Sequence, residues 1–388
     1  MAEPVLVTGV GLCCPCGTSP GETWAALRAG QPWPTVFAEE FPAERFTDPR
    51  SVRKCSEAVR LFAAAAHLAL DEAGLAGQAP LREETWVILG SAFGSSRYYL
   101  EFQEAVRRKG PRAANAVLFT ESVWNAPAGH VSRIHGLMGA GWALAGGEEV
   151  GLSAIVTAVD RLRLGEAAAV VAGGVEQQSR AVQSSLLAEG LVGASPPAGA
   201  DPAGLGSPTP GPFAEGAAAL VLEREADARA RGAPGWARIL GVGRRRSVRS
   251  APDPGAAALE LAAREALAEA GVAPADLDLV VGQASGGWQT ARELAALSGL
   301  VPSGAEVAYW APKALLGEGF AWTSAALPAL AAMALREGGP PPTAGPLPAL
   351  PPGLVPTREA PPARALVLAA SRPGAAVAMV LGPADEAT

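Results

Sequence analysis

One script of strand, glycine turn and helix occurs twice in this chain of 388 residues, and that repetition limits the fold more than any other feature. "VLVTGVG" (5–11) and "ARILGVG" (237–243) are β-rich runs ending in Gly-x-Gly. Each is followed by an amphipathic helical pattern. Val59, Phe62, Ala63, Ala66, Leu70 and Ala73 mark one face of the first; Leu259, Ala262, Ala263, Ala266, Leu267 and Ala270 mark the second. That is the i, i+3, i+4, i+7 spacing of a helix laid on a core. "ALDEAGL" and "ALAEAGV" close the two helices, with Gly74 and Gly271 as stops. Buried strands follow in "TWVILGSAFG" and "DLVVGQASGG". Such alternation predicts an α/β body built of two similar halves, 1–230 and 231–388. The charged stretch "READARARGAPGW" (224–236) lies at the junction. Proline-rich segments at 195–212 and 338–363 predict surface loops, since proline removes a backbone donor.

Composition excludes several classes. With 49% hydrophobic and 18% charged residues, the chain can offset the entropy of ordering and folds as a globular body. A net charge of −7 argues against nucleic acid or an anionic membrane as partner. No basic, apolar leader and no run of about 18 apolar residues is present, which predicts a cytoplasmic protein. Cys13, Cys14, Cys16 and Cys55 show no zinc spacing, so buried reduced thiols are expected and no metal or cofactor is implied. "TGVGLCCPCG" lacks the GxGxxG spacing of a dinucleotide loop.

The chemistry concentrates at "WALAGGEEVGLSAIV". A strand (142–145) meets Gly146-Gly147, then Glu148-Glu149, then a helix pattern. This is the layout of a nucleophile elbow, with a carboxylate at its tip. Around it, "NAPAGHVSRIHGLMG" (125–139), "VVAGGVE" (170–176), "GPFAEGAAALVLE" (211–223), "APADLDLVV" (273–281) and "PPPTAG" (340–345) stand in order. Together they resemble the β-ketoacyl synthase family of the thiolase superfamily along nearly the whole chain. The resemblance implies a layered α-β-α-β-α thiolase-like fold.

In that family an elbow cysteine attacks an acyl thioester, and two histidines assist decarboxylation of a malonyl unit. Carried over, the elbow position is Glu148, the first histidine position is Gln283, and the second, five residues after the matching Lys313, is Glu318. No cysteine follows Cys55, and His67, His130 and His135 lie outside the catalytic trio. The family's acidic partner for the lysine is Leu327 here, and its glycine-rich C-terminal loop is replaced by "SRPGAAVAM" (371–379). The helix N-terminus at the elbow is expected to favour the Glu148 anion and lower its pKa, making it a structural plug.

The chain thus resembles the chain length factor subunits of type II polyketide systems. That implies a pseudoenzyme subunit, not an enzyme. Its partner would be an active ketosynthase in a heterodimer fed by an acyl carrier protein, with the growing polyketide chain, of polyene type, lying in a shared tunnel. Phe119, Ser122, Val123 and Trp124 are the candidates for lining that tunnel. The enzymatic alternative is a malonyl-carrier-protein decarboxylase or an acyltransferase using Glu148; a carrier-docking scaffold is a third.

Overall fold

The computed structural model describes residues 3–30, 41–76, 83–194, 205–247, 254–343, 345 and 347–385. Its strands are β1 (Val5–Cys13), β2 (Thr85–Ser91), β3 (Gly141–Ala145), β4 (Ala169–Glu176), β5 (Gly216–Arg224), β6 (Ala237–Arg246), β7 (Leu279–Val281), β8 (Val307–Trp310), β9 (Leu354–Val355), β10 (Ala365–Ala370) and β11 (Ala375–Pro383). They form one sheet in the order β3-β2-β4-β5-β1-β6-β11-β10-β7-β8-β9. Outward from its centre, the order repeats: β1, β5, β4, β2, β3 on one side and β6, β11, β10, β7, β8 on the other. Directions repeat as well. β2 runs parallel to β3 and β4, as β7 does to β8 and β10, whereas β5 and β11 are antiparallel to both their neighbours. A short antiparallel join, Val5–Val7 against Ala237–Ile239, links the halves.

Helices give the layers. Helix α1 (Glu57–Glu72) covers β1 and β5, and α3 (Pro254–Ala270) covers β6 and β11, with α4 (Gly287–Leu300) packed on α3. Between the half-sheets lie α2 (Val150–Arg163) and α5 (Ala321–Arg336), packed on each other; α5 reaches β4 and β5 on one side and β10 and β11 on the other. Every α5 residue from Ala321 to Ala334 is buried, which is why its sequence is apolar all round. The result is the expected α-β-α-β-α arrangement.

The repeated Gly-x-Gly has a steric cause. A Cβ at Gly9 or Gly11 would stand 1.9 Å from the carbonyl oxygens of Ala69 and Ala65. At Gly241 and Gly243 it would stand 2.2 and 2.0 Å from those of Ala266 and Ala262. Each outer helix therefore rests directly on strand backbone, alanine against glycine. Gly74 and Gly271 end these helices with φ of 66° and 67°, a left-handed conformation that glycine adopts without a Cβ penalty.

Two expectations need adjustment. β7 is three residues long rather than the whole of "DLVVGQASGG", because beyond Val281 a side chain replaces the ladder: the Gln283 amide bonds both backbone groups of Ala370. Within the predicted loop 338–363, Leu354–Val355 pairs with β8 as β9. Positions 195–204 of the other predicted loop, with 344 and 346, lie outside the described residues. Among the described residues no helix is long and apolar enough to cross a membrane.

Gly243→Ala should destabilise the protein by about 3 kcal/mol, because the new methyl must push the α3 backbone away. Leu261→Ala, on the solvent side of the same helix, should stay within about 0.5 kcal/mol of the parent. Urea unfolding of the two variants checks this; equal midpoints would refute backbone contact as the cause.

Candidate functional site

The elbow forms where the two central helices begin. A Cβ at Gly151 would lie 1.8 Å from the Ala321 carbonyl oxygen, so the N-terminal ends of α2 and α5 meet backbone to backbone. Glu148, just before α2, and Glu318, just before α5, are thereby delivered to one buried place. Glu148 is 4% exposed and Glu318 is fully buried. Phe320, between Glu318 and α5, is the one non-glycine residue with positive φ among the described residues (φ 47°). Such a conformation costs on the order of 1–3 kcal/mol. It is held by the Phe93 and Phe213 rings at 4.7 and 6.0 Å, and its N–H donates to Glu318 Oε1 at 3.0 Å.

Lys313 and Glu318 form a buried ion pair, Nζ to Oε2 at 2.5 Å. Gln289 Nε2 donates to the same oxygen at 2.5 Å, while Gln289 Oε1 accepts from the Ser285 hydroxyl at 2.7 Å and from Lys313 at 3.4 Å. A lone buried ammonium would cost several kcal/mol. Leu327 cannot neutralise it, but Glu318 does.

Glu148 Oε2 accepts from the Arg372 N–H at 3.2 Å, in the segment that replaces the family's glycine-rich loop. Its carboxyl is pushed up to about 7, first by burial and then by the negative charge of Glu318; the backbone N–H groups and Lys313 pull the other way and lose. The expected lowering by the helix terminus is thus corrected. Desolvation of a nearly sealed carboxylate outweighs the partial charge at a helix end. Glu149 is raised as well, chiefly by burial.

Gln283 serves as a strut. Its Nε2 donates to Ala370 O at 3.2 Å, its Oε1 accepts from Ala370 N at 2.9 Å, and its own N–H donates to Glu293 Oε2 at 2.8 Å. Glu293, which also accepts from the Tyr309 hydroxyl at 2.6 Å, is raised to about 7 by burial. Glu176, at the end of β4, is raised to about 8 by burial; it accepts from the N–H groups of Ala92 and Phe93 and from Ser91 Oγ. Sequence reasoning missed both acids. For Glu176 the signal was a carboxylate closing an otherwise apolar run, "VVAGGVE"; Glu293 follows Arg292 in "ARELAAL" and had no such signal.

The tunnel candidates stand apart from this network. They follow or belong to the short helix Ala116–Glu121. Phe119 is 55% exposed and rests on Phe102 at 5.7 Å, and Val123 and Trp124 are exposed too. Ser122 is half-buried and donates from Oγ to Phe119 O at 2.7 Å, closing that helix. Tyr99, Leu100, Val117, Met138 and Trp142 are further exposed apolar side chains, the last on the edge strand β3.

Family models for the beta-ketoacyl synthase N-terminal domain and C-terminal domain match residues 35–228 and 236–346. The chain belongs to the beta-ketoacyl synthase family. A Rhizobium meliloti (strain 1021) protein named 3-oxoacyl-[acyl-carrier-protein] synthase 2 is 27% identical over 375 residues, covering 87% of this chain and 88% of the relative. A Streptomyces violaceoruber protein named "Granaticin polyketide putative beta-ketoacyl synthase 2" is 30% identical over 363 residues, 86% of this chain and 83% of the relative. The ishigamide ketosynthase/chain length factor superimposes with a TM-score of 0.86 at 23% identity, over 99% of this chain and 100% of that one.

These synthase names overturn the expectation of a pseudoenzyme, because the relatives that span most of the chain are enzymes. The physical reason lies in what was inferred from the missing groups. Loss of the thiol removes thiol attack and loss of the histidines removes their assistance to decarboxylation, but neither removes every acid–base group from the elbow. The elbow still holds a carboxyl that titrates near neutrality beside a buried lysine–glutamate pair.

Stability should report the Glu148 carboxyl. A raised acid pKa contributes stability that is present below the ordinary carboxylate range and is lost as pH climbs through about 7. Glu148→Gln does not titrate, so from pH 5 to pH 8 it should gain on the parent by up to about 3 kcal/mol in urea unfolding. An unchanged difference across that range contradicts the assignment.

Proposed function

We propose that this chain is the chain-length-setting subunit of a two-chain ketosynthase that assembles polyketides on an acyl carrier protein. The observation that carries the reading is the elbow. Its turn and helix N-terminus are kept, while Glu148 stands where a thiol is needed. A carboxylate attacking a thioester gives an anhydride, which water destroys, so it cannot hold a growing chain. Holding that chain falls to a partner ketosynthase with a cysteine at its elbow, and this chain contributes shape to the shared tunnel.

The surface supports such pairing. Edge strand β3 and the exposed apolar residues Val117, Phe119, Val123, Trp124 and Trp142 suit a sheet-extending interface with an apolar centre. The names of the relatives point the same way, one to acyl-carrier-protein substrates and one to a polyketide. In this reading Phe119, Ser122, Val123 and Trp124 are buried on pairing, and their bulk limits the acyl chain. The halves 1–230 and 231–388 act as one frame.

A second reading is favoured by the titration of Glu148. Near pH 7 its carboxyl is protonated part of the time and can donate to a thioester carbonyl, as decarboxylation of a malonyl unit requires.

Reconstitution with a partner ketosynthase, carrier protein and malonyl units tests both. Phe119→Ala should lengthen the product and Ser122→Trp should shorten it, as read by mass spectrometry. Unchanged lengths in both variants would refute the tunnel assignment. For the second reading, the isolated chain should release carbon dioxide from malonyl-loaded carrier protein, with a loss of about tenfold or more in Glu148→Ala; no release from the parent refutes it.

A further inference from the structure

Away from the elbow, Cys55, His130 and Glu121 form a separate cluster, drawn from the turn before α1, the helix Ala126–His135 and the end of the helix Ala116–Glu121. Cys55 Sγ lies 3.6 Å from His130 Nδ1, and on the opposite edge of the ring His130 Nε2 lies 2.8 Å from Glu121 Oε1. The second oxygen, Glu121 Oε2, accepts from the Ser56 N–H at 2.8 Å, which fixes the carboxylate. Arg133 donates from Nη2 to His130 Nδ1 at 3.1 Å and to Ser51 O at 3.0 Å, and Cys55 Sγ also reaches Ser51 O at 3.4 Å. Glu121 is nearly sealed, Cys55 is 6% exposed, and the His130 side chain is 24% exposed.

A thiol on one nitrogen and a fixed carboxylate on the other is the arrangement that lets an imidazole take a thiol proton. It is a poor arrangement for one metal ion, because the two ring nitrogens face opposite partners and a guanidinium occupies the thiol side. The His130 imidazole is held up at about 9 by Cys55 and Glu121, consistent with that proton transfer. Among the other thiols, burial pushes Cys13 up and Cys16 is pushed up chiefly by its hydrogen bond with Cys14; the same bond lowers Cys14, which is only 1% exposed.

We propose that Cys55–His130–Glu121 is a reactive-thiol site that takes small peroxides and is modified to a sulfenic acid. The narrow exposure of Cys55 suits an electrophile of that size rather than an acyl chain. The thiol proton passes to His130 Nδ1, which gives up its bond from Arg133 as it takes the proton, and the sulfur attacks one peroxide oxygen. The O–O bond breaks as the S–O bond forms. His130 returns the proton to the departing oxygen, so hydrogen peroxide and thiol become water and Cys–SOH, with sulfur oxidised by two electrons. Arg133 and Glu121 orient the ring and do not react.

The test treats the full chain with hydrogen peroxide and dimedone and locates the trapped cysteine by peptide mass spectrometry. Although Cys16 is the more exposed thiol, Cys55 should be trapped at least about tenfold faster. His130→Gln should slow Cys55 by about tenfold or more, Glu121→Gln should slow it less, and Cys55→Ser should abolish the label. Trapping of Cys55 no faster than Cys16 in the parent overturns the proposal without reliance on any variant. So does an unchanged rate in a folded His130→Gln chain, or zinc that both raises the melting temperature and blocks labelling, which would mark a metal site instead.

Discussion

Direct contact between backbones, made possible by glycine, holds this protein together. In each half the carbonyls of an outer helix lie on strand glycines so closely that a methyl group has no room, at Gly9 and Gly11 and again at Gly241 and Gly243. The same device operates at the centre, where Gly151 lets the start of α2 touch the start of α5. Two helix N-termini so placed force the residues that precede them, Glu148 and Glu318, into one desolvated space. The charge problem at the elbow thus follows from the packing, and the packing follows from where glycine and alanine fall.

Desolvation then decides the chemistry. Three carboxyl groups act on one buried lysine: Glu318, Glu148 and, from α4, Glu293. Glu318 takes the lysine at 2.5 Å. Glu148 is left with Arg372 N–H, the helix terminus and a pull from Lys313, which together are too weak to keep it fully ionised at neutral pH. The space before α2 therefore holds a carboxyl raised to about 7. Membership of the family thus goes with an elbow that carries a carboxyl in place of a thiol.

Much of this architecture is legible in the order of residues. The duplicated script marks both half-sheets, Gly74 and Gly271 mark the helix ends, and the strand–Gly-Gly–helix run marks the elbow. The rest depends on distances that only folding creates. With Leu327 at the acidic position, Lys313 reads as a lysine without a partner, yet Glu318, which reads separately as a lost histidine, supplies the charge. A helix N-terminus argues for a lowered Glu148, but the burial that reverses it comes from α5 and the 371–372 segment, far away along the chain. Gln283 reads as a vacated catalytic position and instead completes the strand pairing beyond β7. The Cys55–His130 contact joins residues 75 apart and carries no local pattern at all.

The functional account rests on association with a second chain, and native mass spectrometry reads that directly. Co-expressed with a cysteine-bearing ketosynthase of a polyketide system, this chain should be recovered in a complex holding one copy of each. Recovery of this chain solely as a monomer or as a pair with itself, beside a ketosynthase that pairs only with its own copies, would contradict the account.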